Sequence, residues 1–108
     1  MISKEPVRGN GLARVTFELP SSMWAGQINL VGEFNNWDES GLPMLQDRFD
    51  GNWKVTIDLE PGRSYRFRYL VDGQELLGDW QADGHLENSQ GTYDPVVDLT
   101  DLGSRSTP

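Results

Sequence analysis

The sequence predicts an all-β fold, an immunoglobulin-like antiparallel β-sandwich of about six to eight short strands. Apolar and polar residues alternate with a period of two along most of the 108-residue chain, as in half-buried strands. Gly, Pro and Asn turn signals separate these runs, and no segment has convincing helical periodicity. The length suits one domain with one modest core, and without cysteine that core has to hold by packing alone.

Two strands open the predicted domain. The first covers residues 13–19 and ends at Pro20, and the second covers residues 27–34 and runs into a polar loop. A short apolar piece at Met44-Leu45 follows. Asp50-Gly51 then gives the strongest hairpin signal of the chain, because this pair tolerates the positive φ of a tight turn.

The next two strands carry the clearest alternation. Residues 53–59 alternate up to a Pro-Gly turn, and residues 65–71 place three aromatic rings on one face with Arg66 and Arg68 on the other. After Gly73 the pattern weakens into a short strand, a long loop and a closing strand near Val96 to Leu99. We expect the core among the inward residues, namely Val15, Phe17, Ile28, Leu30, Val55, Ile57, Tyr65, Phe67, Tyr69 and Val71.

The ends of the chain differ from its middle in composition. Residues 1–11 and 101–108 are polar and are expected to be flexible tails around a domain at residues 12–100. No signal peptide or membrane-spanning run is visible, so a cytoplasmic location is expected. The formal net charge of −8 disfavours nucleic acid and anionic membranes as partners, whereas a neutral ligand is indifferent to it.

Trp37 is the first candidate for a binding residue. It follows an apolar strand in a segment too polar to bury an indole, next to Asn35 and Asn36. A flat apolar ring near solvent can stack on a flat ligand, and amides can donate to and accept from hydroxyls, a combination that suits a sugar. The alternative is that the ring folds back over the sheet edge as part of the core.

The sequence gives little support for an enzyme active site or a metal site. His85 is the only histidine, so neither a nucleophile triad nor a His-rich metal site can be assembled, and no catalytic residue is assigned. The loop at residues 79–84 is faintly similar to a calcium loop, but Gln90 stands where a bidentate Glu is required. We therefore expect a non-enzymatic protein without cofactor or metal.

Four segments in order resemble a known family. Phe34-Asn35-Asn36-Trp37, Leu59 to Gly62, Tyr65 to Gly73, and Asn88 with Gly91 together are similar to the family 48 carbohydrate-binding module. That family includes the early-set domains at the N-termini of isoamylases and glycogen branching enzymes, and the glycogen-binding domain of the AMP-activated protein kinase beta subunit. The resemblance covers roughly residues 12–99 and implies an early-set sandwich.

The resemblance also implies a sugar site. Trp37 matches a stacking tryptophan, Arg68 a basic residue that bonds sugar hydroxyls, Thr92 a matching threonine, and Asp94 a sugar-contacting Asn. At the position of the family's second stacking Trp, this chain has Glu75 or Leu76, and Trp80 is either a replacement for that Trp or a core residue. Gln90 stands where the family has a Leu that inserts through the ring of sugars. The expected carbohydrate-binding residues are thus Trp37, Arg68, Trp80, Gln90, Thr92 and Asp94.

Two functions remain open at this point. The first is a non-catalytic module that binds an α-1,4-glucan such as glycogen, starch or maltooligosaccharide. Such a module would act beside a separate protein, namely a glycoside hydrolase family 13 enzyme or another glycogen-metabolism protein. Alternatively, it would self-associate or be a piece of a longer protein. The second is an early-set structural or protein-interaction domain that has lost sugar binding. For Arg66 and Arg68, the alternative to sugar contact is pairing with cross-strand carboxylates such as Asp58.

Overall fold

A computed structural model describes residues 2–5, 9, 11–79 and 81–103, and it confirms the all-β sandwich of two antiparallel sheets. The first sheet has the strand order β1-β2-β5-β4, and the second has the order β3-β6-β9-β8 with β7 also paired to β6. The strands of the described residues are β1 (Ile2–Lys4), β2 (Ala13–Leu19), β3 (Ile28–Gly32), β4 (Leu45–Gln46), β5 (Trp53–Leu59), β6 (Ser64–Val71), β7 (Glu75–Leu77), β8 (Gly84–Glu87) and β9 (Tyr93–Asp98).

The core lies between the sheets and is centred on aromatic residues. Phe67 packs edge-on against Phe17 at 5.1 Å and against Tyr69 at 5.6 Å between ring centroids. All three rings are fully buried, as the alternation predicts. Of the ten residues expected in the core, only Val55 and Ile57 are partly buried, because they pack on its margin. Burial of one such aromatic side chain stabilises the folded state by about 3 kcal/mol.

Two strands lie where none was expected. β1 pairs with β2 in the register Ile2↔Phe17 to Lys4↔Val15, so residues 2–4 are not the unpaired tail that the composition suggested. The ladder supplies partners for backbone groups that β2 would otherwise expose at its edge. β8 lies in the predicted long loop and pairs with β9, Gly84↔Val96 to Glu87↔Tyr93. At the other end, a 3-10 turn covers Thr100–Gly103.

β6 is the strand that organises the second sheet. One of its edges pairs with β3, while its other edge pairs first with β9 and then with β7. Because Tyr65, Phe67 and Tyr69 face the core, Arg66 and Arg68 lie on the opposite side. We call this side, turned away from the first sheet, the outer face.

Candidate functional site

Arg68 and Asp94 form the centre of the outer face. The β6–β9 ladder reaches Arg66↔Val96, and its continuation brings Arg68 opposite Asp94. Both Nε and Nη2 of Arg68 donate to Oδ1 of Asp94, at 3.0 and 2.8 Å, and Nη2 also donates to the carbonyl of Tyr93 at 3.0 Å. The guanidinium is thereby fixed in place on the sheet.

Arg66 approaches the same carboxylate from the other side. Its Nη1 lies 3.2 Å from Oδ2 of Asp94, and its backbone N–H donates to Glu33 at 2.8 Å. Burial raises the pKa of Asp94, but hydrogen bonds from Arg68, Asn88 and Arg66 outweigh burial and hold that pKa below its usual value. The carboxylate therefore stays ionised at neutral pH and ties both arginines together.

A tight loop between β8 and β9 extends this cluster. Asn88 Nδ2 lies 3.2 Å from Asp94 Oδ1 and 2.8 Å from Thr92 Oγ1, while Asn88 Oδ1 accepts from the backbone N–H of Gln90 and of Thr92. Gly91 closes the loop at φ +83°, a conformation that favours glycine. Thr92 thus lies beside Arg68 and Asp94 on one surface, whereas the exposed Gln90 reaches this loop only through its backbone.

Trp37 is held at the surface in an unusual conformation. Its φ is +58° and that of Asn36 is +57°, a region that costs a bulky residue about 1 to 3 kcal/mol. Hydrogen bonds offset this cost: the Trp37 N–H donates to Gly32 at 2.9 Å, and Asn35 Oδ1 accepts from the Gly32 N–H at 3.0 Å. The Trp37 side chain is 38% exposed, so the ring is partly open and the expected surface aromatic is present.

The turn that carries Trp37 is joined through β3 to β6, the strand that bears Arg66 and Arg68. Its anchor, Gly32, follows Val31, which pairs with Arg68 across the β3–β6 ladder. A Cβ on Gly32 would lie 2.5 Å from the Arg66 carbonyl and 2.7 Å from the Phe34 ring, so only glycine fits here. This close approach sets the position of the Trp37 turn relative to β6.

The second stacking position has no aromatic residue in the described chain near the Asp72-Gly73 turn. Leu76 pairs with Leu70 and therefore lies on the outer face, half exposed, while Glu75 pairs with Val71. Trp80 lies outside the described residues. The described residues that follow this turn therefore supply no second aromatic ring to the outer face.

The alternative that Arg66 and Arg68 pair with a cross-strand carboxylate is confirmed, but the partner is Asp94 and not the suggested Asp58. Asp58 lies on the first sheet and accepts from Arg14 Nε at 3.1 Å, whereas Arg66 and Arg68 both contact Asp94. The pairing of β6 with β9 decides this, and sequence reasoning missed both it and the role of Asn88. An Asn three residues before a Gly is the turn signal that could have indicated that loop.

The described part of the chain contains neither a cluster of metal-ligating side chains nor a helix able to span a membrane. No three of its His, Cys, Asp or Glu side chains come together in a group that could hold a metal ion. Likewise, no helix in the described ranges has the length and apolar character needed to cross a bilayer.

Comparison with known families assigns the chain. The family described as the glycogen recognition site of AMP-activated protein kinase matches residues 15–104. The chain belongs to this family. The candidate site residues, Trp37, Arg68, Thr92 and Asp94 among them, lie within the matched range. The suspected carbohydrate-binding-module relationship is thereby confirmed.

Individual relatives are 1,4-alpha-glucan branching enzymes. The 1,4-alpha-glucan branching enzyme GlgB of Nitrosomonas europaea is 31% identical over 83 residues, which cover 71% of this chain and 11% of that enzyme. GlgB of Pseudomonas putida is 34% identical over 70 residues, 61% of this chain and 9% of that enzyme. A 1,4-alpha-glucan-branching enzyme of Aspergillus oryzae is 54% identical over 33 residues, 31% of this chain and 5% of that enzyme. The chain therefore spans about a tenth or less of these relatives.

Proposed function

We propose that this chain is a non-catalytic module that binds α-1,4-glucan through its outer face. The observation that carries the proposal is the fixed arrangement of Arg68, Asp94, Asn88 and Thr92 within a glycogen-recognition domain. Charged and amide donors beside a hydroxyl acceptor are suited to the hydroxyl rim of a sugar. Trp37 supplies the apolar surface on which a sugar ring stacks.

The expected affinity is weak for a single site. Covering about 100 Å² of indole surface contributes on the order of 2.5 kcal/mol, from which losses of rotational freedom are subtracted. A dissociation constant in the range of roughly high micromolar to millimolar follows. Such a module becomes effective when it is tethered to, or acts beside, an enzyme that works on the same polymer, and we propose a glycogen-metabolism enzyme in that role.

Affinity electrophoresis in gels containing glycogen tests the proposal. Wild-type protein should be retarded by glycogen, and Trp37→Ala should lose about 2 kcal/mol of binding, or roughly thirtyfold in affinity. Trp24→Ala is the matched control, because it also removes one indole ring, but from a different loop where Trp24 is 93% exposed. Unretarded wild-type protein, or equal losses in both variants, would contradict the proposal.

A second candidate function is a protein-interaction domain that retains the fold without sugar binding. Two observations favour it: Asp94 already pairs with both Arg68 and Arg66, and the described residues 74–79 after the Asp72-Gly73 turn include no aromatic ring. In that case wild-type mobility would not change with glycogen, whereas the isolated domain would bind a glycogen-metabolism enzyme in a pull-down. The two candidates therefore give opposite results in the same gel.

A further inference from the structure

A cleft of about 530 Å³ opens on the side of the second sheet opposite to Arg68 and Asp94. Successive residues of a strand face opposite sides, so Tyr93 and Pro95 of β9 point away from the outer face that Asp94 occupies. Leu19, Met23 and Leu77 form apolar walls around them. This volume and this lining are typical of sites for small molecules.

Three polar side chains also line the cleft, those of Gln81, His85 and Tyr93. Within the described ranges none of these three side chains forms a hydrogen bond or an ion pair with another residue. Tyr93 is 59% exposed, and its phenol ring and hydroxyl are open to a ligand. Amide, imidazole and phenol groups can each donate and accept, which is what the hydroxyl groups of a neutral ligand require.

Charge narrows the class of ligand further. The one carboxylate of the cleft, Asp79, accepts from the Tyr69 hydroxyl at 2.9 Å and from the Gln81 N–H at 2.9 Å, so it is committed to the fold. The net charge of −8 repels anions. A neutral molecule with an apolar face and a rim of hydroxyls fits this combination of surfaces.

We propose that the cleft is a second carbohydrate subsite, which takes a short segment of α-glucan with a sugar ring against Tyr93. The identity of the sugar rests on the proposed function of the outer face. The two sites lie back to back across β9, because the Tyr93 carbonyl accepts from Arg68 while the Tyr93 side chain lines the cleft. One short oligosaccharide cannot reach both, but two chains of a branched polymer can, and their binding would be cooperative through tethering.

A titration with maltotriose followed by NMR separates the two sites. The methyl group of Met23 and the ring protons of His85 report on the cleft, and the indole N–H of Trp37 reports on the outer face. We expect all three signals to shift in wild-type protein. Tyr93→Ala removes the ring but keeps the backbone carbonyl that accepts from Arg68, so it should weaken binding at the Met23 methyl at least tenfold and leave the response of Trp37 unchanged. Trp37→Ala should leave the Met23 response unchanged.

Each outcome bears on one proposal or the other. If Trp37 responds and the cleft signals do not, or if cellotriose shifts Met23 as strongly as maltotriose does, the second subsite is excluded while the outer-face function stands. A response of Met23 alone supports the cleft and overturns the outer-face site, and silence of all signals removes both. Should Tyr93→Ala fold poorly, Gln81→Ala on the exposed cleft rim gives the same test.

Discussion

The Arg68 guanidinium and the Asp94 carboxylate are joined by two hydrogen bonds to a single oxygen, Oδ1, at 3.0 and 2.8 Å. Oδ2 of the same carboxylate is left to Arg66 at 3.2 Å. One acidic side chain therefore fixes two basic side chains on the outer face. This sharing decides how the site should respond when the acid is changed.

Asp94→Asn should lower stability and leave affinity for glucan unchanged or improved. The amide can keep one acceptor for Arg68, but its NH2 group would face a second donor, Arg66 Nη1, at a cost of about 1 to 2 kcal/mol. The Arg66 guanidinium, which loses its acceptor at position 94, is then available to sugar hydroxyls. Urea denaturation measures the stability loss, and isothermal titration with maltoheptaose measures the affinity; a large affinity loss would contradict the assigned role of Asp94.

The same substitution should remove part of the pH dependence of folding. The folded-state pKa of Asp94 lies below its ordinary value of 3.8, because bonds from Arg68, Asn88 and Arg66 outweigh burial. A depressed folded-state pKa contributes stability that is present above the unfolded pKa and lost as pH falls below it. The stability difference between wild type and Asp94→Asn should therefore shrink below about pH 4, as measured by urea midpoints at several pH values.

At position 37, glycine should be more stabilising than alanine. The φ of +58° penalises any residue that has a Cβ, and glycine avoids that penalty of about 1 kcal/mol. Trp37→Gly should thus unfold at a higher urea concentration than Trp37→Ala, although both lose the ring and both should bind glucan equally poorly. The reverse order of midpoints would show that the left-handed conformation does not persist in solution.

Phe67→Ala should cost about 3 to 5 kcal/mol, enough to unfold a domain of this size. The ring is fully buried between Phe17 and Tyr69, so its removal leaves a cavity. Phe49→Ala makes the same chemical change at a fully exposed position and should stay within about 0.5 kcal/mol of wild type. Circular dichroism melts of both variants check the contrast.

Tyr69→Phe should cost about 1 to 3 kcal/mol, because the buried Asp79 carboxylate loses a hydroxyl donor at 2.9 Å. Burial, and then the charge of Asp79, raise the pKa of Tyr69 above its ordinary value of 10.0. A raised folded-state pKa means that this contribution is present below about pH 10 and lost as pH rises. Tyr93→Phe, at an exposed site, is the control in the same urea series.

The alternation of apolar and polar residues predicted the strands in which that alternation determines the two faces. The strict alternation of residues 65–71 predicted both faces of β6, and thus the outer position of Arg68. β8 was missed because its four residues include one large apolar side chain, Leu86, which leaves no alternation to detect. The choice of Asp94 over Asp58 depends on which strand lies beside β6, and sequence spacing carries no information about that pairing.

The conformation of Trp37 was equally hidden. Its indole was expected near the surface from the polar residues around it, but two successive left-handed residues are set by hydrogen bonds to Gly32. Gly32 is in turn placed by the close approach of its backbone to the Arg66 carbonyl, a contact between β3 and β6 that no local propensity predicts. The cleft was missed for a related reason, since its walls come from four separate parts of the chain.

The segment that presents Trp37 also shields the sheet from other copies of the protein. After the turn it runs back beside β3, with bonds of 2.8 Å from the Leu30 N–H to Leu42 and from the Met44 N–H to Ile28, and a bridge at Pro43. β3 would otherwise present an open row of backbone groups to solvent. Lesions in this segment would thus first appear as self-association and loss of soluble protein, before any measurement of ligand affinity becomes possible.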